Sequence, residues 1–245
     1  MKVEYYKEYS HELGRDMEFK VYGHAGRPCL VFPAQAGKFF DFENFKMVEA
    51  ISDFIEAGRI QLFCIDSLDG ESICAQGDPR GRMEHHERWV RYICNEMVGR
   101  IKEINGYAFD RIMTTGCSMG AYHAVTFLLR RPDLFDKCLA MSGIYEVDSF
   151  LGGYHDDLTY ENSPTQFISN LSLDHPYMDM YESCEIVICV GKGRWEEECI
   201  ASTQRMQKAF ESRGIEAWID YWGYDVDHDW PWWRKQMPYF LQFMC

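Results

Sequence analysis

The chain has 245 residues, of which 25 are basic and 39 acidic, giving a formal net charge of −14. That length fits one ordinary domain with a substantial core, and no Pro-, Gly- or Ser-rich linker divides it, so residues 1–245 are expected to form a single domain. The negative charge repels phosphate backbones and anionic bilayers, which excludes nucleic acid and membrane surfaces as expected partners. Ten cysteines without a C-x-x-C pair, and an N-terminus without the apolar core of a signal peptide, predict reduced thiols and a cytoplasmic location. No apolar run approaches the roughly eighteen residues that a membrane span needs.

Val3 to Ser10 and Met17 to Tyr22 alternate in polarity around the turn residues Leu13 to Asp16, which predicts an antiparallel hairpin. Cys29 to Phe32 is a short continuous apolar run, as expected of a strand covered on both faces, and it ends in Pro33-Ala34-Gln35-Ala36-Gly37. The spacing of Phe45, Val48, Ile51, Phe54 and Ile55 predicts a helix over 42–57, stopped by Gly58. A strand over 60–65, a long helix over 84–104 and a strand ending at Thr115 follow. The helix after that strand ends at Pro132, and a strand over 137–142 succeeds it. From Ile144 to Leu173 the pattern is polar and aperiodic, so 144–173 is expected to be either a cap or lid over a site or a solvated surface insertion. Strands over 185–190 and 216–222 flank a helix over 196–213 capped by Gly214, and a last aromatic helix begins at Pro231. Strands alternating with helices predict an α/β fold with a doubly wound, mostly parallel sheet behind the N-terminal antiparallel hairpin.

Gly116-Cys117-Ser118-Met119-Gly120 is a G-x-S-x-G pattern between an expected strand and an expected helix. Such a turn is tight enough to strain its central residue and push its hydroxyl out of the sheet, and glycines on either side avoid collisions. Cys117 is beside the nucleophile position, not in it. A serine hydroxyl is a poor nucleophile at neutral pH, so it needs a base and a group that holds the base. Where such sites are built on a parallel sheet, the chain order is serine, acid, histidine, the last of these after the final strand. Of eight histidines, His228 has that place; His123 and the pair His85-His86 are expected to be structural or solvated. For the acid, Glu196, Glu197 and Glu198 follow the strand over 185–190, while Glu146 and Asp148 follow the earlier one. Glu196 is the choice, because Gly191 and Gly193 let its loop bend over the strand ends. The backbone N–H of Met119 and one from the loop after the first parallel strand, at Gln35 or Ala36, are the expected oxyanion donors. Phe39, Trp195 and Trp230, near expected strand ends, are candidate substrate contacts. No His, Cys, Asp or Glu group has the spacing of a zinc site, so no metal is expected.

With Gly116 to Gly120, the downstream glutamate loop and His228 in this order, the chain resembles the putative-esterase family of α/β-hydrolases, which includes esterase D-like and feruloyl-esterase-like enzymes. Gly191-Lys192-Gly193-Arg194-Trp195-Glu196 and Asp227-His228-Asp229-Trp230-Pro231 carry the resemblance to the end of the chain. Pro33-Ala34-Gln35 departs from it, standing where many relatives have His-Gly. The resemblance implies a serine carboxylic-ester hydrolase, without metal or organic cofactor, acting on small soluble esters through an acyl-serine. An acyltransferase or thioesterase would use the same residues, and a binding protein could keep the fold without turnover. The expected partner is a small-molecule ester, with self-association into a homo-oligomer left open.

Overall fold

A computed structural model describes all 245 residues. Its eight strands are β1 (Val3–Ser10), β2 (Arg15–Tyr22), β3 (Arg27–Phe32), β4 (Ile60–Ile65), β5 (Ile112–Cys117), β6 (Phe135–Met141), β7 (Glu185–Val190) and β8 (Trp218–Tyr221). They form one sheet in the order β1-β2-β4-β3-β5-β6-β7-β8. The hairpin β1-β2 joins β4 antiparallel, and every pairing from β4 to β8 is parallel. This is the doubly wound arrangement expected.

Alternation along the central strands supplies two cores. Leu30 and Phe32 face the side covered by Ala121, Ala124 and Leu128 of the helix Met119–Arg130. Cys29, Val31 and Met113 face the opposite side, covered by Trp233, Met237 and Phe240 of the C-terminal helix Trp230–Met244. Burial on both faces is why these strands read as unbroken apolar runs. Because the chain moves outward in opposite directions from β3 and β5, their carboxyl ends open a crevice at the switch point, where open α/β sheets bind ligands.

Three expectations change. The helix over 42–57 is broken into Asp41–Asn44, Met47–Ala50 and Ser52–Glu56, with Lys46 in the left-handed region (φ 61°). The break lets Phe45 leave the core face and stack on Trp230, with centroids 4.5 Å apart. The long helix starts earlier, at Pro79, capped by the Asp78 carboxylate on the Gly81 N–H, and passes through a π-helical turn at Tyr92–Met97. The segment 144–173 is not aperiodic: it holds the short helices Val147–Phe150, Asp157–Glu161 and Pro164–Asn170. Ile168 and Leu171 are buried in the main core, and Val147 and Leu151 pack with Met119 and Tyr122. Through these residues the segment packs on the body of the domain. All ten cysteines are free thiols, and no helix is long and apolar enough to cross a membrane.

Candidate active site

Ser118 stands between β5 and the helix Met119–Arg130 with φ 58° and ψ −122°, a conformation that costs a non-glycine residue energy. The surroundings impose it. A Cβ at Gly116 would collide with the backbone of Gly120, and one at Gly120 with the carbonyl of Phe32, so β3, β5 and the helix approach as closely as they do only through these glycines. Cys117 points into the opposite core, where burial pushes its thiol pKa well up and keeps it protonated.

The loop after β8 brings His228 to Ser118, with Nε2 2.9 Å from Oγ. Its backbone is tied to the loop after β7. The His228 N–H donates to the Arg194 carbonyl at 3.0 Å, and Asp227 takes the Arg194 backbone N–H at 2.8 Å and its guanidinium at 2.7 and 2.9 Å. Gly191 and Gly193 are required here, since a Cβ on either would run into Val226 or Asp227.

On the other side of the imidazole, Nδ1 is 3.2 Å from Oε2 of Glu196, a side chain with no exposure at all. Its second oxygen accepts from Ser142 Oγ at 2.6 Å and from the Gly191 N–H at 3.3 Å. Ser142, at φ 59°, in turn accepts from the Trp233 indole N–H at 3.1 Å, and the Trp233 ring stands edge-on to His228. A buried carboxylate is costly unless its oxygens are hydrogen-bonded, and those of Glu196 are. The alternative acids are engaged elsewhere: Glu146 binds Arg205, Ser202 and Thr165, and Asp148 lies against His155.

A cavity of about 150 Å³ opens over this row, with Ser118, His228, Gln35 and Met119 in its wall. Ile144, Phe150 and Trp195 supply apolar surface, and Glu198 is the one acidic side chain on it. Trp195 is held at φ 64° and is 69% exposed, so it forms a free edge of the opening. Phe39 and Trp230 do not line the cavity, contrary to expectation. Phe39 is buried against Tyr5 and Phe40, and Trp230 packs on Phe42, Phe45 and Trp233. Their loops start at strand ends but turn the rings back toward the protein.

A second buried pair lies beneath the loop after β3. Asp69 Oδ1 is 2.8 Å from His123 Nε2 on the helix that follows Ser118, and Asp69 Oδ2 accepts the Ala36 N–H at 3.3 Å. Ala36 is itself in the left-handed region (φ 54°). Burial opposes the charge on Asp69, but the hydrogen-bonded His123 holds its carboxyl below the ordinary aspartate range. His86 stacks on His123 and is driven down to about 3 by burial and by that neighbour, so it is neutral across the working range. A histidine inside an apolar helix, another in a charged stretch and an aspartate in a loop give no sequence signal of such a pair. Among His, Cys, Asp and Glu clusters, Glu196, Cys199 and His228 have one ligand atom each within 4.8 Å of the others.

A strained serine after a central strand, an imidazole after the last one and a buried carboxylate between them stand on a sheet of the α/β-hydrolase fold. The family model described as Putative esterase matches residues 10–244, and the chain belongs to that esterase family. Solved structures agree in fold. A ferulic acid esterase superposes with a TM-score of 0.75 at 15% identity, covering 99% of this chain and 97% of that one. An S-formylglutathione hydrolase from Agrobacterium tumefaciens gives 0.70 at 16%, covering 98% and 94%. The fluorophosphonate-binding serine hydrolase F of Staphylococcus aureus gives 0.68 at 14%, covering 99% and 98%. A search of curated proteins found no significant match.

Proposed function

We propose that the protein hydrolyses small carboxylic esters through an acyl-Ser118 intermediate, with His228 as general base and then general acid and Glu196 as the carboxylate that holds it. The observation that carries this reading is the continuous row Ser118 Oγ, His228, Glu196 at 2.9 and 3.2 Å. In attack, the Oγ proton passes to Nε2 as the Oγ–C bond forms, and the imidazolium so created lies beside the Glu196 carboxylate. The same proton is given to the departing alcohol. Water then repeats the sequence on the acyl-enzyme and frees the acid. For the oxyanion, the Met119 N–H is one donor, and Gln35 is favoured for the second because the Ala36 N–H is taken up by Asp69.

The size of the cavity selects the substrate class. At about 150 Å³ it is well below the ~300–1,000 Å³ of sites for drug-sized ligands, a size that favours a short acyl group over a bulky one. Turnover of p-nitrophenyl acetate is expected to exceed that of the octanoate and of a feruloyl ester in kcat/KM, with a short acyl thioester as the further comparison. A clear preference for the feruloyl ester would refute the short acyl group, and a preference for the thioester would move the reading to a thioesterase.

Asp69 is a positioning residue in this scheme, joining the helix that carries Met119 to the loop that carries Gln35. Asp69→Ala leaves the buried His123 without its partner, a loss of about 1–3 kcal/mol, and frees the Ala36 N–H, which lies on an exposed residue. Loss of a whole oxyanion donor costs about 10²–10³ in kcat, so a misplaced one should cost roughly 10–10² with KM nearly constant. Binding of a boronic acid transition-state analogue should weaken in parallel, and Asp69→Asn should recover part of both. A fall in stability alone, with kcat and analogue binding intact, would reduce Asp69 to a packing role.

A further inference from the structure

We propose that Glu196, Cys199 and His228 form an inhibitory site for a zinc-class divalent ion, which when filled stops the imidazole from accepting the Ser118 proton. The site is assembled from two parts of the chain. Glu196 and Cys199, three residues apart at the start of the helix Glu197–Arg213, project to the same side of it, and His228 meets them from the loop after β8. Nδ1 of His228 is 3.2 Å from Glu196 Oε2 and 3.7 Å from Cys199 Sγ. A tetrahedral zinc with nitrogen and oxygen ligands at about 2.1 Å and sulfur at about 2.3 Å sets nitrogen and oxygen about 3.4 Å apart and nitrogen and sulfur about 3.6 Å apart. Two edges of a zinc tetrahedron are thus already present, and one imidazole, one thiolate and one carboxylate are a ligand set that zinc favours.

Cys199 and His228 both border the active-site cavity, which gives an ion a way in and leaves a fourth position for water. Without metal, the Cys199 thiol donates to the Ser142 carbonyl at 3.4 Å. On binding, a sulfur–metal bond replaces S–H and that proton leaves to solvent. The imidazole gives its Nδ1 lone pair to the metal, so its own proton moves to Nε2 and faces Ser118 Oγ. An Nε2 that already carries a proton cannot accept one from the serine. Inhibition therefore comes from fixing the wrong tautomer, with no blockage of the cavity required.

The inhibitory consequence rests on the role given to His228 above, whereas binding itself does not, and two readouts separate them. Zn²⁺ should inhibit ester hydrolysis in a way that EDTA reverses. Co²⁺ added to the native protein should give a thiolate-to-metal charge-transfer band in the near ultraviolet. Cys199→Ser and, independently, Cys199→Ala should abolish the band and raise the inhibiting zinc concentration by at least about tenfold, the scale on which such sites respond to lost interactions. Absence of the band in native protein, or equal zinc sensitivity in folded Cys199 variants, overturns the site. A Cys199-dependent band with undiminished hydrolysis would leave the site standing and overturn His228 as the base.

Discussion

Ser118→Ala should lose about 10⁶ in kcat while keeping the fold, the scale seen when the nucleophile of a serine hydrolase is removed. The loss is large because His228 and Glu196 have no purpose without the hydroxyl, so what remains is oxyanion stabilisation and binding. Stability is expected to hold, since alanine sits at the same φ of 58° with the same Cβ and the lost Oγ bonds only to His228. Steady-state turnover of p-nitrophenyl acetate with a thermal melt checks both parts. A neighbouring thiol does not offer a substitute route: Cys117 faces the other core and is kept protonated by burial. Substantial turnover in the folded variant would show that another group attacks the ester.

Glu196→Gln should lower kcat by ~10³ to 10⁴. The amide keeps the shape of the side chain but has no charge to set beside the imidazolium. It also presents a donor to groups that now donate: Ser142 Oγ and the Gly191 N–H both point at the carboxylate. Rotation of the amide can satisfy one side or the other, so the ring orientation of His228 suffers with its electrostatics. Glu197→Gln should stay near the parent, its charge serving the first turn of the helix at a few tenths of a kcal/mol to about one. Glu198 differs from Glu197 in bordering the cavity, so its amide variant should move KM more than kcat. Kinetics on the three glutamine variants sort the roles, and loss of activity in Asp148→Asn with Glu196→Gln unaffected would relocate the acid.

Much of this site was legible because chain order and turn chemistry are local properties. G-x-S-x-G between a β-branched run and an alanine-containing helix specifies a strained turn wherever it occurs, and the glycines at 191 and 193 announce a loop that must pass close to something. Buried polar partners are different. Ser142, Asp69, His86 and His123 read as ordinary polar residues because what makes them special is who faces them, 54 residues apart in sequence for both Ser142–Glu196 and Asp69–His123. Cys199 was silent for the same reason. In the fold, continuous apolar strands were readable because both faces are covered, whereas the short helices within 144–173 hold too few turns to develop a period. The break at Lys46 was hidden by intact spacing: Phe45 falls on the apolar stripe of a regular helix but packs on Trp230 instead. Phe39 and Trp230 show the converse error, since closeness to a strand end does not say which way a ring turns.

The covalent intermediate is the most direct point of attack. The protein should be mixed with excess p-nitrophenyl acetate, quenched in acid within the first turnover, digested and mapped by mass spectrometry. The expected result is one acetyl group, on the peptide at Ser118, appearing as nitrophenol is released and absent from Ser118→Ala. Turnover without any acyl adduct, or an acetyl group mapped to Cys117, Cys199 or a different serine, would contradict it.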